Sequence, residues 1–270
     1  MNYTKHLLVP IICLLLLSCS KDNDENADNN TPSAKTSLPV KLTYTDASGT
    51  VIRTNNITYD TQKRKNKLVV VNQNASLNYT ETFSYENGKI TIIKDWSDPV
   101  KPEVKWIFFY DTNGVTKENY YLDSNLTFIY EWFYRPDGGK ERRVKNTSGD
   151  LVLTYYYRYN ATGNIERMVT DNVSPSVEDE EYTFGTYDTK SRSFSSIVNV
   201  TGLSYILGFP GTNLPAPNNP LTMTYKSGNN NVNENYEYTY NNKNQVIVTK
   251  VKNSTNGSLK QTQTIEYQEF

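Results

Sequence analysis

The chain has 270 residues, 36% of them hydrophobic, with 28 basic and 29 acidic side chains and a net charge of −1. That balance lacks the basic footprint of a nucleic-acid-binding protein. The single histidine, His6, and both cysteines, Cys13 and Cys19, fall within the first nineteen residues. The remainder can therefore build no Ser-His-Asp or Cys-His site, no disulfide and no ordinary zinc site.

Residues 1–18 read as a cleavable leader. Lys5 supplies a basic start, and an apolar run extends from Leu7 to Leu17, short of the roughly 20 residues that cross a bilayer. Leu16-Leu17-Ser18-Cys19 has the form of a lipobox, and Cys19 resembles the cysteine of bacterial lipoproteins that becomes the acylated first residue. More than one acyl chain gives stable anchoring. Loss of Lys5 leaves the mature chain with 27 of its 28 basic groups against 29 acidic ones. Residues 19–37 begin with an acidic tract, Ser20-Lys21-Asp22-Asn23-Asp24-Glu25, and carry almost no apolar side chains. Such a segment buries too little surface to offset its ordering entropy and is expected to act as a flexible tether. Acidity just behind the lipid cysteine resembles the surface-export signal of Bacteroidota outer-membrane lipoproteins, and a solvated linker gives the same composition.

Residues 38–270 are expected to form one all-β domain. A strand that ends in tyrosine plus a polar residue recurs at Tyr59-Asp60, Tyr85-Glu86, Tyr110-Asp111, Tyr134-Arg135, Tyr159-Asn160, Tyr187-Asp188 and Tyr240-Asn241. Successive tyrosines up to Tyr187 lie 26, 25, 24, 25 and 28 residues apart, and the last gap of 53 is two periods with one unit replaced. A fixed period of this length marks a repeated hairpin. Asn87-Gly88, Asn113-Gly114 and Asp137-Gly138-Gly139 supply hairpin turns at one end of each unit. Further turns such as Asp123-Ser124-Asn125 and Ser148-Gly149-Asp150 fall between them. Turns thus arrive about every 12 residues, which predicts an up-and-down antiparallel meander of about 15–17 strands, curved or barrel-like.

Alternation assigns the faces. Leu126, Phe128, Tyr130, Trp132 and Tyr134 share one side against Thr127 and Glu131, and Phe83 and Tyr85 oppose Thr82 and Ser84. The repeat tyrosine falls on the apolar side, so it is expected to pack in the core with its hydroxyl reaching a turn. Residues 195–208 break the alternation with Ile197, Val198, Val200, Leu203, Ile206 and Leu207, a pattern that predicts one inserted apolar helix packed on or inside the sheet.

The tyrosine hairpins loosely resemble the YD repeats of large bacterial shell-forming proteins. The lipobox, the Leu38-Pro39 start, the hairpins and the Leu203-to-Pro215 insert together resemble a family of Bacteroidota outer-membrane lipoproteins whose domain, of unknown function, has a porin-like fold. That resemblance covers residues 38–270. It implies a large curved antiparallel sheet with no assigned activity, and it carries over no functional residues. From the lipobox and the acidic tract the expected location is the outer membrane, lipid-anchored and facing the exterior, with the periplasmic face as the alternative. A membrane-spanning pore fits less well, because the polar face with Thr80, Thr82, Glu131 and Glu237 offers no apolar band to lipid.

Candidate ligand-binding residues are Trp96, Phe109, Phe133 and Tyr156. Phe109 and Phe133 hold the same repeat position, with Ile107, Ile129, Val152 and Tyr156 nearby on the second face. Exposed, this stripe would stack on a sugar or a partner; the blander expectation is that the insert helix or a sheet edge covers it. Trp96, beside Asp95 and Asp98, either stacks on a saccharide or seals a sheet end. Glu178-Asp179-Glu180-Glu181 could hold a hard cation, but a solvated acidic loop accounts for it. No catalytic residue, metal ligand or cofactor site is assigned. The expected function is a non-enzymatic binding module for an extracellular glycan or protein. A structural spacer of the envelope and a carboxylate-only glycan-cleaving enzyme are the alternatives.

Overall fold

The computed structural model describes residues 36–191 and 218–270, apart from 88 and 113. The leader, Cys19, the tether up to Lys35 and the predicted helix at 195–208 lie outside the described residues.

Eighteen strands follow one another: β1 (Ser37–Asp46), β2 (Val51–Tyr59), β3 (Lys65–Asn72), β4 (Tyr79–Glu86), β5 (Lys89–Trp96), β6 (Val104–Asp111), β7 (Gly114–Leu122), β8 (Asn125–Tyr134) and β9 (Lys140–Asn146). Then come β10 (Leu151–Tyr159), β11 (Ile165–Asn172), β12 (Glu180–Phe184), β13 (Tyr187–Ser191), β14 (Asn218–Pro220), β15 (Thr222–Ser227), β16 (Asn230–Tyr240), β17 (Val246–Asn253) and β18 (Leu259–Glu269). Sixteen of them form a closed antiparallel up-and-down barrel, in which β12 pairs with β15 and β1 closes on β18. The meander and its strand number agree with the sequence. Closure leaves no sheet edge in the wall, so the expected cover of the Phe109–Phe133 stripe by an edge does not occur. β13 and β14 leave the wall and pair with each other, and this excursion is the replaced unit seen in the 53-residue gap.

One turn geometry recurs because one local chemistry recurs. In Asp46–Thr50, Asp60–Arg64, Arg135–Gly139, Asn146–Asp150, Asn160–Asn164 and Asn241–Gln245 the first N–H donates to the fifth carbonyl, and the fourth N–H donates to the first. The fourth residue is left-handed, at φ +88° for Gly49, +81° for Gly163 and +61° for Lys63. This is a three-residue hairpin loop with a bulge, which glycine adopts without steric cost. The leading Asp or Asn is explained too. Asp60 Oδ1 accepts from the N–H of Gln62 and of Arg64, both at 2.9 Å, and Asn160 Oδ1 does the same for Thr162 and Asn164.

The tyrosine before that residue ties hairpins together. Tyr59, Tyr85 and Tyr134 donate their hydroxyls to the carbonyls of Pro39, Lys65 and Val115 at 2.7, 2.7 and 2.9 Å, and Tyr187 donates to Ile165. Each acceptor lies at the start of an earlier strand, so every bond fixes one hairpin end to the next. The hydroxyl reaches a strand start at a turn, in keeping with the sequence expectation. Burial pushes the Tyr85 hydroxyl up to about 12, so it remains a donor across the physiological range. Tyr85→Phe is expected to cost about 1 kcal/mol in a urea unfolding titration. Tyr159→Phe should cost nothing measurable there, because the Tyr159 hydroxyl has no hydrogen-bond partner.

The apolar face points inward. Leu42, Ile57, Phe83, Ile92, Phe108, Trp132, Tyr157, Tyr182, Tyr236 and Ile265, drawn from strands all round the wall, form one buried cluster. The outward face carries a few aromatics, Phe109, Phe133 and Tyr156, among many charged side chains, with ion pairs Lys41–Glu266 at 2.9 Å, Lys145–Glu131 at 2.7 Å, Arg167–Glu181 at 2.8 Å and Lys252–Glu237 at 2.5 Å. Compared with a membrane-spanning barrel this arrangement is inverted, since such a barrel turns an apolar band to lipid and a polar face inward. Among the described residues no helix is long and apolar enough to cross a membrane.

Candidate functional site

The barrel has two unlike ends. One carries the turns that follow the repeat tyrosines, together with Thr36 and Phe270, whose backbones bond to each other at 3.1 and 2.9 Å. The opposite, far end carries the longer connections. Eight exposed aliphatic residues lie at or beside those far-end connections: Val51, Val71, Leu77, Val100, Leu151, Val173, Val177 and Val232, with Val100 at 88% exposure.

Inside the far end, consecutive strands line up rings. Trp106 on β6 pairs with Tyr120 on β7, which pairs with Phe128 on β8. Their centroids are 5.1 and 6.0 Å apart, and all three are half-buried. One level deeper, Glu118 is almost fully buried and accepts from Trp132 Nε1 at 2.6 Å. It also takes both arms of Arg142, at 3.1 and 2.6 Å. Burial pulls the Arg142 guanidinium down, but the Glu118 charge and hydrogen bonds outweigh this and hold it above its ordinary value. The guanidinium lies 4.1 Å from the Tyr130 ring centroid and 5.3 Å from that of Tyr155. The result is an aromatic wall with one fixed, internally neutralised ion pair at its base. Such a wall can stack on the faces of sugar rings or apolar side chains.

The sequence-predicted residues are spread over three places. Trp96 is on the inner wall at the far end, 5.2 Å from Tyr79, with Lys94 Nζ 4.0 Å and Lys101 Nζ 4.4 Å from its ring. Burial lowers Lys94 to about 8, although Glu81 acts against this. Phe109 and Phe133 point outward on β6 and β8. The register sets Phe109 opposite Lys117 and Lys117 opposite Glu131, so Phe133 stands two residues further along the barrel. The stagger of a closed sheet therefore offsets two positions that the repeat makes equivalent. Phe133 is 39% exposed, with Arg143 4.4 Å from its ring centroid. Tyr156, outward on β10, lines a cleft of about 520 Å³ at the tyrosine-turn end, together with Arg135, Lys140, Arg158, Tyr159 and Arg167. The acidic run behaves as ordinary structure: Glu181 pairs with Arg167, and Glu180 accepts from Tyr225 at 3.1 Å. Among the described residues no three His, Cys, Asp or Glu side chains come together as a metal site.

The sequence reading passed over Trp106, Tyr120, Glu118 and Arg142. For Trp106 the alternation with Phe108 was a usable signal. Lys140–Asn146 reads KERRVKN, and no apolar alternation there distinguishes the inward Arg142 from its outward neighbours Glu141 and Arg143.

No family model matches the chain, and no curated protein does. Solved structures are similar in fold. A porin-like protein from Bacteroides vulgatus aligns at 14% identity with a TM-score of 0.60, over 86% of this chain and 99% of that one. A porin-like protein from Bacteroides uniformis aligns at 14% identity and 0.53, over 86% and 96%.

Proposed function

We propose that this barrel is a lipid-anchored protein of the cell envelope, held at Cys19, that binds an extracellular glycan through its far end and catalyses no reaction. The carrying observation is the half-buried Trp106–Tyr120–Phe128 wall inside a rim of exposed aliphatics. The fold likeness to porin-like proteins from two Bacteroides supports an envelope location. The ion-paired outer face argues for tethering over insertion, because each such pair would stand in hydrocarbon if the wall spanned a bilayer. Glu118, which could have served as a catalytic acid, is locked by Arg142 and Trp132. Closure also removes the open sheet edge through which an envelope spacer would pair. A protein ligand is the second reading, favoured by the aliphatic rim.

The test is a glycan array with polysaccharide retardation on the full-length chain, beside Trp106→Ala/Tyr120→Ala and an outer-face Phe109→Ala/Phe133→Ala variant. The inner pair should weaken binding at least tenfold, or about 1.4 kcal/mol, while the outer pair leaves it unchanged. Loss confined to the outer pair would move the site to the second face. Absence of binding to any glycan would sink the glycan reading.

A further inference from the structure

The cleft beside Tyr156 exists because one repeat of the barrel is incomplete. In the five-residue turns at the tyrosine-turn end, the fifth residue normally fills the space in front of the next hairpin. Arg64 lies over the Tyr85 ring with its guanidinium carbon 4.3 Å from the centroid. Asn164 exchanges hydrogen bonds with Asn218 at 3.0 and 2.9 Å, and Gln245 accepts from the Ser37 hydroxyl at 3.3 Å. In the turn Arg135–Gly139 that residue is Gly139, which has no side chain to reach forward; Asp137 Oδ1, the Tyr157 carbonyl and Arg135 Cδ lie 3.1, 3.2 and 3.7 Å from where its Cβ would stand, and the cleft opens beyond them. The hydroxyl bond is missing as well. Tyr85, Tyr187 and Tyr267 donate to the carbonyls of Lys65, Ile165 and Val246, each the residue just after the turn. The matching acceptor for Tyr159 is the carbonyl of Lys140, yet the buried Tyr159 hydroxyl has no hydrogen-bond partner.

The cleft is lined by four cations, Arg135, Lys140, Arg158 and Arg167, and by one carboxylate, Asp137. The three arginines have carboxylate partners: Asp137 at 3.6 Å, Glu166 at 3.1 Å and Glu181 at 2.8 Å. The Lys140 ammonium makes no hydrogen bond or ion pair and lies 5.4 and 5.5 Å from the centroids of the Tyr134 and Tyr159 rings. Burial lowers it to about 8, so it is still mostly cationic at neutral pH. A half-buried cation and a buried hydroxyl, both donors without protein acceptors, together suit an oxyanion.

We infer that the cleft between the Arg135–Gly139 turn and the end of β10 is an oxyanion-binding site, in which the Lys140 ammonium and the Tyr159 hydroxyl hold the carboxylate or sulfate group of an acidic ligand. The site lies at the end opposite the aromatic wall, so it stands or falls independently of the glycan reading there. Its volume of about 520 Å³ accommodates a sugar-sized acid.

Isothermal titration of the full-length chain with glucuronate and with inorganic sulfate, at constant ionic strength, tests this. Saturable binding of at least one anion is expected, weakened at least tenfold in both Lys140→Gln and Tyr159→Phe and unchanged in Lys41→Gln on the far side of the wall. Binding of glucuronate alone would identify an acidic sugar as the ligand class, and binding of both would mark a general oxyanion site. Tyr159→Phe removes only an unpartnered oxygen, so its fold is preserved and a loss of binding is not a loss of structure. Absence of saturable binding by either anion, or equal binding by the variants, would overturn the assignment.

Discussion

Glu118→Ala is expected to destabilise the barrel by about 3–5 kcal/mol, the usual cost of leaving one partner of a buried ion pair uncompensated. The variant would strand the Arg142 guanidinium among Tyr130, Tyr155 and Trp132, and would also remove the acceptor of the Trp132 indole. The midpoint of a guanidinium unfolding curve should fall sharply. Glu118→Leu/Arg142→Met should recover most of the loss, because buried pairs exchanged together for apolar residues of similar size are often near neutral. If the double variant is no better than Glu118→Ala, the pair is not the unit that matters and the indole bond carries the effect.

The second large effect separates the two faces of one hairpin. Ile92 on β5 is fully buried, and Thr82 on the paired strand β4 faces out and is exposed. Ile92→Asp would place a carboxylate in the apolar centre of the barrel and should cost more than about 4 kcal/mol, enough to abolish a marginal fold. Thr82→Lys should change stability by no more than about 0.5 kcal/mol. Circular dichroism melts of the two variants in detergent-free buffer provide the comparison. If Thr82→Lys were the damaging change and Ile92→Asp the tolerated one, the barrel would have to be read as lipid-facing and water-filled.

Much of the architecture was legible because it rests on local, repeated chemistry. The period of the tyrosines set the hairpin length, the turn dipeptides set the strand count, and Phe83 against Thr82 and Ser84 set the inward face. Closure was not legible, since the pairing of β1 with β18 joins residues such as Lys41 and Glu266 that share no local pattern. The candidate site was read less well for a related reason. Trp96 falls at the far end, as a rim residue should, but Phe109 and Phe133 were matched by repeat position, and barrel stagger shifts that equivalence by two residues. Arg142 and Glu118 were missed because a buried ion pair resembles surface charge until the register is known. Gly139 is the instructive case: it looks like an ordinary turn glycine and becomes meaningful only beside Arg64, Asn164 and Gln245 in the same turn position.

The β1–β18 seam also dictates when the protein can become complete. Neighbouring hairpins join residues about 20 positions apart, whereas Lys41 and Glu266 are 225 apart in the chain. Contacts between near positions form early and those between distant ones late. The meander can assemble from either end, but the wall stays an open, curling sheet with two bare edges until the final eleven-residue strand Leu259–Glu269 arrives. Bare edges recruit other chains. A chain arrested or trimmed before Leu259 is therefore left adhesive at β1 and β17, and release of a well-behaved molecule waits on its last strand.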